Sequence, residues 1–459
     1  MKDNLKFLIT LALVILILLA QPVAAKDDDD KKETKTIIKA DEEISQVIKS
    51  GIEENQYLAL DKCIKIAIIN NPTIRAAISN TEVFRNRVGK AKSDYFPRFN
   101  LSNGYSLDNQ STFANSFDID VNSYNIINLG ISQLIYDFGK TGTNIDIQKT
   151  NLSARQADLK AEINNTVFNV KKAYFALLLA FHRQTVIEES VDQFEQLLAQ
   201  AKAFYEVGTK PKIDVLTAEV NLSNAKLDLI RAKNRVEIAY ATLNNTMGLP
   251  ESPIYRLKDE LRYVEESADF NNLIATAYDN RPDFKSAVLQ VEASKKEIKL
   301  AKKDYLPTLQ GFSGFRVTVY DTELATNTDE GWNAGVSLDL PVLNPYLTHK
   351  KIKEAKASFE KENSEAEALK NNLYFQVKQA YTDFIEAKSS VPATEVVLEQ
   401  AEESYNLAKG RYEVGVGDPI ELKDAELTYR NAQFAYYKAL YDYNVALAQL
   451  ENVTGTGMD

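Results

Sequence analysis

The chain has 459 residues, one cysteine, two histidines and a formal net charge of −11 at pH 7. That length holds two or three ordinary domains or one elongated one. A lone cysteine, Cys63, excludes an internal disulfide framework, and an acidic balance without any long basic run argues against nucleic acid as a partner.

Residues 1–25 read as a secretory signal. Lys2 and Lys6 give a basic start, the apolar run FLITLALVILILLA comes next, and Val23-Ala24-Ala25 offers small residues for cleavage near Ala25. The run is about 14 residues long, short of the roughly 20 that a spanning helix needs. Residues 26–55 are charged and poorly periodic, the pattern of a flexible leader. Within it Asp27–Lys31 reads either as a native acidic run or as an inserted protease-tag sequence. No later stretch resembles a transmembrane helix, so the mature chain is expected to be soluble outside the cytoplasm or to enter a membrane as β-strands.

The remainder of the chain is a repeat. FYEVGTKPKIDVLTAE at 204–219 matches RYEVGVGDPIELKDAE at 411–426 at a constant offset of 207, pairing Gly208 with Gly415 and Asp214 with Glu421. Upstream, AKSDYFP at 91–97 matches AKKDYLP at 301–307 at an offset of 210, so the first half carries three more residues, expected in a hairpin loop. The first repeat is placed at 56–248, a connector at 249–272, the second repeat at 273–455 and a tail at 456–459.

After each Tyr-x-Pro the pattern changes to period two. Phe99, Leu101, Tyr105 and Leu107 alternate with polar residues, as do Ile127, Leu129 and Ile131, then Phe315, Val317 and Val319, then Trp332, Val336 and Leu338. This predicts strands at about 97–108, 124–137, 307–320 and 332–341. Each is about 10 residues, long enough to cross a bilayer when tilted, although a soluble sandwich alternates in the same way. Four strands cannot close a barrel, and open edges cannot sit in lipid. Transmembrane strands would therefore require several chains to share one barrel, and three chains would supply twelve strands.

The helices are very long. From Thr143 to Val207 there is no glycine or proline, which predicts a helix on the order of 100 Å. A return helix is expected at Ile213–Met247, and the second repeat gives Tyr346–Lys409, interrupted at Pro392, then Ile420–Thr454. The two helical hairpins are placed at 140–248 and 345–454, with tips at about 205–213 and 410–420. At the tips, Gly208 and Gly415 suit the left-handed residue that ends a helix, Pro211 and Pro419 the first turn of the next, and Asp214 and Glu421 the acid-favouring end of the helix dipole.

This ordered set resembles the TolC-like outer-membrane efflux proteins over residues 56–455. Asn-x-Pro stands in an early helix, Tyr-x-Pro opens each first strand, QLIYDFG (133–139) is similar to the family's Gln-Pro-Leu-Phe-Asp-x-Gly, and LPVLN (340–344) resembles its second-half counterpart. The resemblance implies a mainly α chain with a transmembrane β-barrel portion. Three copies would build a 12-stranded β-barrel in the outer membrane of a diderm bacterium and a 12-helix α-barrel across the periplasm, with a mixed region around its middle. It also implies a channel constriction at Glu421 and Asp424, one helical turn apart. Gate links would fall at Tyr412 and Asp214, and an adaptor-contact surface at Val207, Gly208, Thr209, Arg411, Val414, Gly415 and Val416. The sequence departs from the family where a basic latch residue is common and Gly417 stands instead, with Lys210 the nearest substitute. Phe204 replaces the arginine that Arg411 retains, and Thr209 and Val416 stand where leucine is frequent.

Enzymatic chemistry has no support in the residues. His182 and His349 are isolated in helical patterns, and no phosphate-binding loop or metal-ligand spacing occurs, so no cofactor is expected. The expected function is a duct in a tripartite efflux pump, a homotrimer contacting outer-membrane lipid, with a periplasmic adaptor and an inner-membrane pump of the RND, ABC or MFS type as partners. A type I protein secretion channel or a non-conducting trimeric coiled-coil stalk are the alternatives.

Overall fold

The computed structural model describes residues 57–109, 121–249, 255–322, 325–341, 345–414 and 416–456. The signal and leader at 1–56 and the tail from 457 lie outside these residues, as does the 110–120 connection where the extra residues of the first hairpin are expected. The described chain divides into two units, one from Thr81–Ala154 and Ala287–Glu365, the other from residues 57–80, Arg155–Ser286 and 366–456.

The first unit is built on an antiparallel sheet of β2 (Arg98–Asn109), β3 (Val121–Tyr136), β5 (Thr308–Thr322) and β6 (Ala325–Asp339), in that order. The last of these starts earlier than the alternation alone predicts, because ladder pairing with β5 continues to Thr322↔Ala325. Register gives each face its character. Leu101, Leu129, Phe315 and Trp332 lie opposite one another across all four strands, and one step along the same strands Ser102, Asn128, Arg316 and Gly331 form the next row. Because side chains alternate, the first row makes an apolar face and the second a polar one. Arg316 Nε donates to Asn128 Oδ1 at 2.9 Å within that polar row. β2 and β6 are the sheet's edges.

The motif QLIYDFG ends β3 and starts the long helix α3 (Lys140–Glu206). Phe138 and Gly139 both take left-handed backbone, φ 54° and 75°, which turns the chain sharply. Asp137 accepts from the N–H groups of Gly139, Lys140 and Thr141 at 3.0, 3.1 and 2.6 Å, satisfying donors that a helix start leaves open. Burial disfavours its charge, but these hydrogen bonds outweigh it and hold the carboxyl below the usual aspartate range. Asp304 is similarly depressed: burial opposes ionisation, and the ammonium groups of Lys140 and Lys351 overcome it.

The second unit is helical. It contains the pair of short parallel strands β1 (Tyr57–Leu58) and β4 (Arg256–Leu257), together with α1 (Leu60–Asn70), α5 (Phe270–Asn280), α4 (Lys212–Met247) and α8 (Pro419–Thr454). The start of α2 (Pro72–Lys92), the start of α6 (Pro282–Lys303) and parts of α3 and α7 (Pro345–Glu413) complete it. Contrary to the sequence expectation, Pro392 does not interrupt α7. A mid-helix proline costs about 3 kcal/mol. Here the helix is anchored on either side of it by the buried side chains of Val391 and Ala401. The core of this unit gathers Leu58, Tyr174, Leu177, Leu243, Phe384 and Tyr443 from both repeats.

The repeat reappears as packing. Gly248 ends α4 and Gly455 ends α8, both left-handed at φ 74° and 76°. A Cβ on Gly248 would lie 2.6 Å from the Asn70 carbonyl oxygen, and one on Gly455 would lie 3.2 Å from Arg281 Cα. Each long hairpin thus closes against the junction of two short helices, at Asn70–Asn71 or Asn280–Arg281. Both Asn-x-Pro phrases mark those junctions.

Candidate channel constriction at the hairpin tips

At the first tip α3 stops at Glu206. The N–H of Thr209 donates to the Phe204 carbonyl at 2.9 Å and that of Gly208 to Tyr205 at 3.0 Å, with Gly208 at φ 77°. This paired ending satisfies carbonyls that the helix leaves open and needs the left-handed residue that glycine supplies. Pro211 is the N-cap of α4 rather than part of its first turn, and Asp214 lies in that turn.

The second tip repeats the wiring. Val416 N–H donates to the Arg411 carbonyl at 3.1 Å, the equivalent of the Thr209 bond, and Gly417 N–H donates to the same carbonyl at 2.8 Å. The corresponding Lys210 bond is longer, 3.3 Å. Gly415 lies outside the described residues. Pro419 is the first residue of α8, where its missing N–H costs nothing, and the Asp418 side chain accepts from Ile420 N–H at 2.9 Å.

Glu421 then falls in the first turn of α8, with Asp424 three residues further on one face. The two carboxylates open onto a groove of about 630 Å³ shared with Leu407, Ala408 and Arg411. Arg411 Nη2 stands 3.6 Å from Glu421 Oε2, both side chains half exposed, so the pair is solvent-screened. Tyr412 points the other way, buried with Tyr405, Ala408 and Leu422 and meeting Phe204 edge-on at 6.5 Å. Burial, then the charge of Asp214, raises its phenol pKa. The two are coupled through space; no hydrogen bond joins them among the described residues.

The absent basic residue at 417 has a steric explanation. A Cβ there would lie 2.7 Å from Tyr412 N and 2.9 Å from Arg411 C, so the turn admits no side chain without opening. Val207, Val414 and Val416 project outward, 71, 73 and 71% exposed, and form apolar tips with Thr209 and Arg411 beside them.

One tip-proximal group was not visible in the sequence. Glu426 is buried, accepts from Ser190 Oγ at 2.6 Å and lies 4.0 Å from Arg430. Its repeat counterpart Glu219 is an exposed partner of Lys202 at 3.5 Å. Only the approach of α3 to α8 distinguishes them. Away from the tips, Cys63 is buried with its thiol pushed up to about 12 by burial and by nearby Glu260, and His182 stacks on Tyr437 at 4.3 Å. Among the described residues no cluster of His, Cys, Asp or Glu could hold a metal ion, and no helix is long and apolar enough to cross a membrane.

The family model described as outer membrane efflux protein matches residues 63–249 and 273–456. The chain belongs to the outer membrane efflux protein family. As a member it is a channel protein rather than an enzyme. It is 21% identical to outer membrane protein TolC of Escherichia coli over 85% of this chain and 80% of that protein. It is 22% identical to outer membrane efflux protein BepC of Brucella suis over 92% and 91%. Among solved structures, the Campylobacter jejuni CmeC outer membrane channel has the same fold, with a TM-score of 0.72 at 18% identity, covering 87% of this chain and 86% of that one. Both matched segments of this efflux-family chain end one residue beyond the glycines Gly248 and Gly455, so the family boundary coincides with the packed hairpin closures.

Proposed function

We propose that three copies of this chain form an outer-membrane duct that exports substrates as the outer component of a tripartite efflux assembly. The observation that carries this is the sheet. The outer sides of its edge strands β2 and β6, of 12 and 15 residues, have no partner strand among the described residues, while Leu101, Leu129 and Trp332 of its apolar row are open to the surroundings. Unpaired strand edges are costly in lipid, and joining β2 of one copy to β6 of the next removes them. Three copies give twelve strands, an even number within the usual range.

The long helices then continue the duct through the periplasm, and the tips form its entrance. Glu421 and Asp424 from three copies make two stacked carboxylate rings, which concentrate cations at a constriction. Tyr412 and Asp214 couple the two tips of one copy. The exposed valines with Thr209 and Arg411, together with Gly208 and Gly415, supply the surface for a periplasmic adaptor, and an inner-membrane pump provides the energy. Residues 1–25 direct export and are removed near Ala25.

Single-channel recording of the purified protein in a planar bilayer tests the reading. A low, cation-selective conductance is expected, and Glu421→Gln with Asp424→Asn should reduce both selectivity and block by divalent ions. Absence of any conductance after verified insertion would turn the assignment toward a stalk. Unchanged selectivity in the double variant would remove the constriction from these two residues.

A further inference from the structure

The helical unit carries two grooves that match in sequence register and oppose in charge. One runs along α3 and α4 with residues of α8 at its side, the other along α7 and α8 with residues of α3. Their linings correspond at the same offset of 207 that relates the tips: Ala176 to Asp383, Leu179 to Glu386, Arg183 to Ser390, Arg235 to Asp442. The first groove, about 590 Å³, is lined by Arg183, Arg231, Arg235 and Arg430, with Asp228 as its one acid. The second, about 540 Å³, sets Asp383, Glu386 and Asp442 against Lys172.

Two of the four arginines are engaged. Arg231 pairs with Asp228 at 3.2 Å, and Arg430 lies 4.0 Å from Glu426 and donates to Ser190 at 3.3 Å. Arg183 and Arg235 have no carboxylate within 4.0 Å among the described residues. The Nε of Arg183 is buried with no hydrogen-bond partner among the described residues, and its guanidinium sits 5.7 Å over the Phe434 ring. Burial, then repulsion from Arg235, lowers the proton affinity of Arg183, and the Asp442 carboxylate opposes this only in part. The rest of the lining is apolar, with Ala173, Ala180, Ile187, Ile238 and Ala239.

The groove's orientation follows from helix geometry. Tyr174 and Tyr240 donate to Lys258 and Tyr255 carbonyls at 2.6 and 2.5 Å, and Tyr443 donates to Val264, fixing one face of α3, α4 and α8 against the connector. Arg183, Arg231 and Phe434 each stand nine positions from the respective tyrosine. At about 3.6 residues per turn that is two and a half turns, the opposite face.

We propose that the arginine-lined groove binds a small amphipathic organic anion, a carboxylate or sulfonate on an apolar body. Arg183 and Arg235 take the acid group, in the bidentate geometry that guanidinium favours, and the alanine and isoleucine floor takes the body. Resting on the duct reading, the face opposite the connector is the lumenal one, where three basic grooves alternate with three acidic ones.

The test uses the full chain in lipid nanodiscs, titrated calorimetrically with 2-naphthalenesulfonate. Saturable binding at one site per protomer is expected, weakened at least tenfold by Arg235→Gln and by Arg183→Gln. Asp383→Asn with Glu386→Gln, in the twin groove, should leave it unchanged. Arg235 is exposed, so its variant keeps the fold and its result stands alone. Binding that is unsaturable, or as tight in the arginine variants as in the unaltered chain, would overturn the proposal. So would binding that appears only after removal of residues 26–55, which would make the chain's acidic leader the occupant. Conductance of the same samples separates the readings: a conducting protein without sulfonate binding refutes the groove alone, and sulfonate binding by a non-conducting one refutes the duct alone.

Discussion

The N–H of Gly417 donates to the Arg411 carbonyl at 2.8 Å, and any Cβ at 417 would fall 2.7 Å from Tyr412 N. The tip is therefore wound against its own helix end at the position where a latch side chain is common in related channels. Gly417→Lys should open the turn rather than restore a latch. The expected result is faster proteolytic cleavage at residues 414–418 and a raised conductance; a variant with unchanged cleavage would show that the turn absorbs the side chain.

Arg411 and Glu421, 3.6 Å apart, should act on selectivity with opposite signs. Removing the cation by Arg411→Gln leaves Glu421 uncompensated and should increase cation preference, whereas Glu421→Gln should decrease it. Both effects should shrink between 0.1 and 1 M salt, as the screening length falls from about 10 to about 3 Å. Reversal potentials across a salt gradient measure the pair.

Three left-handed glycines should rank by their surroundings. Among the described residues nothing lies within 4 Å of a Cβ on Gly208, so Gly208→Ala costs only the backbone strain, roughly 1–2 kcal/mol. Gly248→Ala adds a clash at 2.6 Å with Asn70, a further 1–3 kcal/mol or so. Gly455→Ala, with contacts at 3.2 Å, should fall between. Thermal unfolding midpoints should follow the order 208, 455, 248 from mildest to most severe. Equal midpoints would mean the junctions relax freely.

Asp137 gives a pH dependence with a defined sign. Its folded pKa is held below the reference 3.8, so the unfolded state binds more protons in acid. Its contribution is complete above the unfolded value and is lost as pH falls through the folded one. Asp137→Ala should cost about 0.5–2 kcal/mol at pH 7, the range for a lost helix cap. Urea unfolding of both proteins at pH 7 and pH 3 should show the gap narrowing in acid; a gap that is constant or widens would deny the carboxylate its capping role.

Much of this protein follows from sequence because its determinants are local or periodic. Alternation in Phe99–Leu107 and Trp332–Leu338 is a property of neighbouring residues, and so are the glycine and proline stops at Gly208 and Pro419. An offset of 207 between two copies makes each half a check on the other. Glu421 is legible in the same way, as an acid in the first turn after a helix start, whereas Asp424 as its companion is implied only by the family resemblance.

Tertiary structure decided what depends on which helix lies beside which. Glu219 and Glu426 occupy equivalent places in the repeat, yet only Glu426 is buried, because α3 brings Ser190 against it from 236 residues away. No local pattern encodes that approach. The same holds for Gly417, whose necessity comes from the return of its backbone onto Arg411 and Tyr412. It holds also for the paired grooves, where arginines from α3, α4 and α8 meet in one lining. Periodicity fixes which face a side chain occupies; only the packed helices fix what that face confronts.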